Sequence, residues 1–413
     1  MSMHGICPFQ YGGIAQQKQA QRCFIGALQI GYNGIFFRRP AAIMNEQLYI
    51  GLMSGTSMDG VDAVLVRMDK TRWLAAESHA FLPYCGRLKN DLLNLQNIGF
   101  NELHRSAILA QELAVLYAQT AAELLQRAGI PPHNITALGC HGQTVRHAPE
   151  SGYSIQLADL ALLAEKSGIL TVGNFRSRDL AAGGQGAPLV PAFHETVFGS
   201  ANETRVVLNI GGIANISVLP PQGAAFGFDT GPGNMLMDAW VNHIWQLPFD
   251  KNGAKAVQGR VLDSLLAQWL AHPYFARPYP KSTGRELFSL PWLLPQLSDG
   301  LNPHDVLRTL LEFTVQSIHN AVTTAAPAVR NIYVCGGGIR NTALMENLNK
   351  RFTAAGVSLH STAALNLDPQ WVEAAAFGWL AAAWVNRVSG NPYHATGAHG
   401  PRILGAGYPA CVL

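Results

Sequence analysis

The stretch LYIGLMSGTSMDGVDAVLVRM, residues 48–68, decides the fold. Residues 48–52 are mostly apolar, and the run VDAVLVRM at 61–68 is rich in valine, a strand composition. Between them lies MSGTSMDG, 53–60, far too short for the helix that a parallel crossover requires. The spacing therefore predicts an antiparallel hairpin with a tip of small polar residues. The same design returns in RVVLNIGGIANISVL, 205–219: a strand over 206–210, a turn at Gly211 and Gly212, and a strand over 214–219. One such unit in each half of the chain predicts two related half-molecules.

Outward from these hairpins, strands alternate with helices. Residues 102–128 carry Leu103, Ile108, Leu113, Leu116, Leu124 and Leu125 at helical spacing. Residues 137–140 read as a strand that runs into a loop, His141-Gly-Gln-Thr144. A short helix is expected over 159–167 and a buried strand over 169–172. Residues 176–188 (RSRDLAAGGQGAP) read as a long glycine-rich loop, and such loops inside compact domains are usually functional. A strand at 331–335 leads into Gly336-Gly-Gly338 and a helix from about Thr342. An alanine-rich buried helix is expected over 371–385. The class is α/β, with mixed sheets in two lobes and a ligand between them.

Composition narrows the function. Of 413 residues, 48% are hydrophobic and 13% charged, too apolar for a disordered chain. A net charge of +3 gives no electrostatic support for nucleic acid or a membrane surface. The apolar run 371–385 contains Glu373 and is too short to span about 30 Å of hydrocarbon. Six scattered cysteines without a CxxC pair argue against a disulfide scaffold and suit a reducing, cytoplasmic setting. Residues 1–43 hold no Asp or Glu and show no clear period, so they read as a non-functional extension.

Several segments could carry chemistry. Small residues at 55–62 let backbone N–H groups and hydroxyls approach a phosphate, and Asp59 or Asp62 could hold a metal's water shell. An ordinary turn explains the same residues equally well. The string Gly-Thr-Ser-Met also resembles a subtilisin-type nucleophile segment around Ser57, but it sits in an early hairpin with the wrong chain order. No Walker loop or dinucleotide fingerprint is present, and His141 and His147 are poorly spaced for a metal pair. Gly211 and Gly212 offer a second phosphate turn. Three successive glycines at a strand–helix junction, 336–338, suggest close ligand approach. Asp229, in FDTGPGN, reads as a carboxylate in a turn just after a strand, where it could take a proton or bond its own loop.

The ordered set MSGTSMDGVD (53–62), CHGQT (140–144), FRSRD (175–179), GGQGAPLVPAFH (183–194), LNIGG (208–212), GFDTGPGNMLMDAW (227–240), KSTGRE (281–286) and VCGGG (334–338) resembles the anhydro-N-acetylmuramic acid kinases. That family lies in the acetate kinase, sugar kinase and actin superfamily. The similarity runs from about residue 49 to 409. It implies a two-lobed actin/hexokinase-like fold, a duplicated ribonuclease H-like unit, with an interlobe cleft. The lobes are expected at 44–178 plus 388–413 and at 179–387. The implied reaction is ATP-dependent phosphorylation of the anhydro sugar at O6, with water opening the anhydro bridge at C1. The product would be N-acetylmuramic acid 6-phosphate, formed in peptidoglycan recycling.

By the same resemblance Asp229 is the base and Glu373 an acidic residue near the sugar. Gly55, Thr56, Ser57, Met58, Asp59, Gly60, Val61 and Asp62 would bind ATP, together with Gly211, Gly212, Gly336, Gly337 and Gly338. His141, Gln143, Arg176, Arg178 and Asp179 would contact the sugar. Mg²⁺ would accompany ATP, with Asp59 reaching it through water. A homodimer is an open assembly state; nucleic acid and membrane are not expected partners. Two departures are visible: Asn174 stands where the family pattern usually has Asp, and residues 1–43 form an extension beyond the pattern. Two other readings remain, a kinase of the superfamily with a different substrate and a non-catalytic ATP-binding switch.

Overall fold

The first hairpin forms as its composition predicts. β1 (Glu46–Ser54) pairs antiparallel with β2 (Gly60–Asp69), from Glu46 opposite Asp69 to Met53 opposite Asp62. β3 (Arg72–Pro83) extends the meander, and β4 (Ile135–Ala148) lies parallel to β1. β5 (Tyr153–Leu157) folds back on β4; β6 (Thr171–Gly173) and β12 (Ala406–Tyr408) complete the sheet. Its order is β12-β6-β4-β1-β2-β3 with β5 on β4. The computed structural model describes residues 46–410 except Thr56, Arg285 and Glu286. The expected extension 1–43 lies outside the described residues.

The second hairpin builds a matching sheet. β7 (Arg205–Ile210), β8 (Ile213–Leu219) and β9 (Phe226–Pro232) form an antiparallel meander. β10 (Asn331–Cys335) and β11 (Ser358–Ser361) add in parallel, giving β11-β10-β7-β8-β9. Strands β3-β2-β1-β4-β6 thus repeat as β9-β8-β7-β10-β11. The helices repeat too. Glu102–Ala128 precedes β4 as Pro303–Ala325 precedes β10, and Leu160–Ser167 precedes β6 as Thr342–Ala354 precedes β11. This duplicated ribonuclease H-like unit is the actin/hexokinase-like fold expected from the sequence.

Strand alternation sorts the core into layers. Ile50, Leu52, Ala63 and Leu65 pack against Leu109, Leu113, Tyr117 and Leu124 of the long helix. Val206, Leu208 and Ile210 do the same with Val306, Leu310 and Phe313. The intervening positions, Tyr49, Val64, Val66 and Val207, face a shared layer built from the helices Pro191–Phe198 and Val372–Val385. The helix Val372–Val385 follows β11 in sequence and packs on β1, β2 and β4 of the first sheet. Two glycines explain the fit: a Cβ on Gly51 would lie 1.8 Å from the Ala374 carbonyl oxygen, and one on Gly139 would lie 2.0 Å from that of Phe377.

Three local expectations are corrected. His141–Thr144 is not a loop, because β4 continues without a break to Ala148 and pairs there with β5. The start of the 176–188 loop is a helix, Phe175–Ala181, too short to show a period. Asp229 is not in a turn after a strand but inside β9, opposite Asn215, at a register shift. Such irregularities bend a strand and re-aim its side chains.

Candidate active site

The short helix Phe175–Ala181, the middle of β9 and the start of the helix Val372–Val385 bring the acidic and basic candidates together. Arg176 is the hub. Its guanidinium donates to Nε2 of His141 at 3.0 Å through Nη2 and to the Gly186 carbonyl at 3.2 Å through Nη1. Burial lowers its pKa to about 10, opposed by the negative charges of Asp229, Glu373 and Asp179. Arg176 stays cationic, and its charge opposes the rise in the Glu373 pKa. His141 is held down to about 3 by burial and then by Arg176, so it accepts as a neutral ring. The expected sugar contact His141 is thus also the residue that fixes Arg176.

Glu373 links the two halves. Its Oε1 accepts from Nδ2 of Asn209, at the end of β7, at 2.9 Å. Burial raises its pKa, the Asn209 bond opposes this, Asp62 adds to the rise, and Arg176 counters it. The Asn209 Oδ1 is buried without a protein partner. In sequence Asn209 stands only as a strand residue before the glycine turn, because an asparagine there is not in itself a chemical signal.

Asp229 is held by the segment that follows β9. Its backbone N–H bonds the Lys281 carbonyl, its carbonyl accepts from the Tyr274 hydroxyl at 2.5 Å, and its Oδ2 accepts from the Thr283 N–H at 2.9 Å. Lys281 is itself pinned, donating to the carbonyls of Tyr274 and Phe275 and lying over the Tyr274 ring. Lys281 and Thr283 reach Asp229 through backbone groups, which no residue-type pattern reveals; Arg285 and Glu286 lie outside the described residues.

Asp179 is fully buried and engaged with the chain. It accepts from the Gly186 N–H, from Thr396 Oγ1 at 2.8 Å and from Asn391 Nδ2. It ties the 183–186 loop to the C-terminal segment. Arg178 is exposed on the same short helix. Asn174, one departure from the family pattern, precedes that helix at φ 55° and accepts from the Ser177 hydroxyl. Asn tolerates this left-handed conformation, so the substitution suits a structural role.

Gln143 is fully buried and braces the first turn: Nε2 donates to the Gly55 carbonyl, and Oε1 accepts from Tyr84. In that turn Met58 and Val61 send side chains into the core, while Gly60 is required by β3, whose Leu82 carbonyl oxygen would lie 2.3 Å from a Cβ. Gly55 and Ser57 are partly exposed, and Thr56 lies outside the described residues. Asp62 bonds His79 Nε2 at 2.9 Å. In the second turn the Gly211 and Gly212 carbonyls accept from the backbone of residues 233–235, welding it to the helix Met235–Trp245. Gly336 and Gly338 make room for Asn209 and Ile210, whereas Gly337 faces open space.

A divalent ion finds little here. Among the described residues no three His, Cys, Asp or Glu side chains gather as a metal site. Asp59 is exposed and already paired with Lys89 at 3.1 Å. The chain does not fit a protein-held metal at Asp59.

Comparisons with known proteins identify the family. The family model for anhydro-N-acetylmuramic acid kinase matches residues 47–410. An anhydro-N-acetylmuramic acid kinase of Neisseria meningitidis is 69% identical over 366 residues, covering 89% of this chain and 100% of its own length. One of Nitrosomonas europaea is 50% identical, covering 88% and 99%. Among solved structures, component A of the (R)-2-hydroxyglutaryl-CoA dehydratase of Acidaminococcus fermentans is similar at TM-score 0.44 and 12% identity, over 82% of this chain and 99% of that one. The chain belongs to the anhydro-N-acetylmuramic acid kinase family.

Proposed function

We propose that this chain transfers the γ-phosphoryl group of ATP to O6 of 1,6-anhydro-N-acetylmuramic acid while water opens the anhydro bridge at C1. The observation that carries this reading is the Arg176 cation set among Asp229, Glu373 and Asp179 in a chain matched to the family almost end to end. The anhydro sugar has no free 6-hydroxyl until C1–O6 breaks. Asp229, oriented by the Thr283 N–H, takes one proton from the attacking water. The water oxygen bonds C1, the C1–O6 bond breaks, and O6 attacks the γ-phosphorus as ADP leaves. Arg176, within electrostatic reach of Asp229, adds positive potential where negative charge moves. Glu373, restrained by Asn209, borders the sugar.

The nucleotide's phosphates are expected against the 55–62 and 211–212 turns, with Gly337 leaving room for the rest of the nucleotide. Mg²⁺ enters bound to ATP rather than held by a carboxylate cluster of the chain. The product, N-acetylmuramic acid 6-phosphate, places the reaction after enzymes that release anhydro sugars from the cell wall, within its recycling. The test is mass detection of sugar phosphate from ATP and the anhydro sugar, beside a panel of other sugars and small acids. Turnover of the anhydro sugar alone supports the reading. Phosphorylation of another panel member in its place, or ATP binding without any product, contradicts it.

A further inference from the structure

The two sheets match strand for strand until β4 outruns its counterpart. β10 stops after 5 residues, whereas β4 has 14 and carries β5 on its extra length. This added hairpin has no equivalent in the second half, and it touches the short helix that bears Arg176. Its two faces differ. Arg146 braces one face, donating to the Leu95 carbonyl and pairing with Glu102 at 3.2 Å. His147 follows on the other, within the electrostatic reach of Arg176.

A polar chain crosses this hairpin. Gln156 Nε2 donates to the Ser154 hydroxyl oxygen at 2.7 Å, and Ser154 Oγ lies 3.0 Å from His147 Nδ1. The Ser154 proton has two acceptors in reach, Nδ1 at 3.0 Å and the Arg146 carbonyl at 3.5 Å, and the shorter contact places it on Nδ1. His147 then carries its proton on Nε2. Burial, with Arg176 second, lowers the pKa to about 4, so the ring stays neutral. That Nε2 is buried and has no partner among the described residues. An orphaned buried donor costs about 1–3 kcal/mol, a cost that a ligand oxygen removes.

We infer that His147 is a specificity-determining residue, donating from Nε2–H to an acceptor oxygen of the sugar substrate. The inference rests on the proposed function, and its chemistry fits an acetamido carbonyl or a carboxylate oxygen. The β4–β5 hairpin is then the wall of the sugar site that the first half adds to the shared fold.

Two substitutions in the full chain test it. His147→Asn keeps an amide near the Nδ1 position for Ser154 but removes the distal donor. His147→Gln restores an N–H near Nε2. The expected result is a rise of about tenfold in KM for the anhydro sugar in His147→Asn, the scale of one lost hydrogen bond. KM for ATP and the melting temperature should hardly move, and His147→Gln should recover most of the loss. A sugar KM unchanged in His147→Asn, or both KM values rising together, overturns the assignment. Nitrogen NMR of the histidine rings in the unmutated protein decides independently of variant folding. The His147 Nε2 signal should shift on adding sugar with a nonhydrolysable ATP analogue, and a signal indifferent to sugar overturns the inference. If the unmutated protein turns over no anhydro sugar, the functional reading falls with it; turnover with an indifferent His147 removes only this inference.

Discussion

At the residue scale the account turns on two carboxylates with different surroundings. Asp229 lies in β9 with its Oδ2 held by the Thr283 N–H. Asp229→Asn keeps the shape and removes the basic charge, so kcat should fall by roughly 10²–10⁴ with ATP affinity near that of the parent. Comparable losses in kcat and ATP affinity would point to a damaged cleft instead. Glu373 is buried, and its raised pKa means that folding disfavours its charge. Its contribution to stability is fully present below the unfolded carboxyl pKa and is lost as pH rises through the raised folded value. Glu373→Gln should therefore melt higher than the parent at neutral pH, with the gap closing in acid, while activity falls. A gap that widens in acid contradicts the sign. Asp229 and Arg176 stand in motifs that the sequence shows, FDTGPGN and FRSRD, and in the structure the charge of Arg176 reaches both Asp229 and Glu373. Asn209 and Thr283 were not legible in the sequence, since one acts by an amide bond and the other by a backbone N–H.

At the element scale the two hairpins were legible because valine-rich strands flank turns too short for anything else. The β4 extension was not. Its residues 141–148 (HGQTVRHA) mix polar and small side chains, and their strand conformation depends on pairing with β5 and on the bonds of Gln143. The packing of the helix Val372–Val385 on the sheet of the other half was equally hidden. It depends on Gly51 and Gly139, which let helix backbone approach sheet backbone. Gly51→Ala should cost about 1–3 kcal/mol or more, because the clash is with backbone that cannot rotate away. Urea unfolding measures this, and a midpoint equal to the parent's contradicts the packing argument.

At the scale of the whole molecule, two copies of one unit share a layer of helices, and the Asn209–Glu373 bond joins β7 to a helix seated on the first sheet. The turns proposed to hold the phosphates lie on different sheets, so ATP and sugar together should draw the halves closer. Small-angle scattering with a nonhydrolysable ATP analogue and the anhydro sugar should show a smaller radius of gyration than the free protein, and an unchanged value argues against closure. Among the described residues no helix is long and apolar enough to cross a membrane. The central claim is that water attacks C1 while O6 takes the phosphoryl group, and oxygen isotope placement tests it most directly. When the reaction is run in ¹⁸O water and the product fragmented by mass spectrometry, the label should sit on C1 and be absent from the phosphate. Label in the phosphate, or none at C1, contradicts the account.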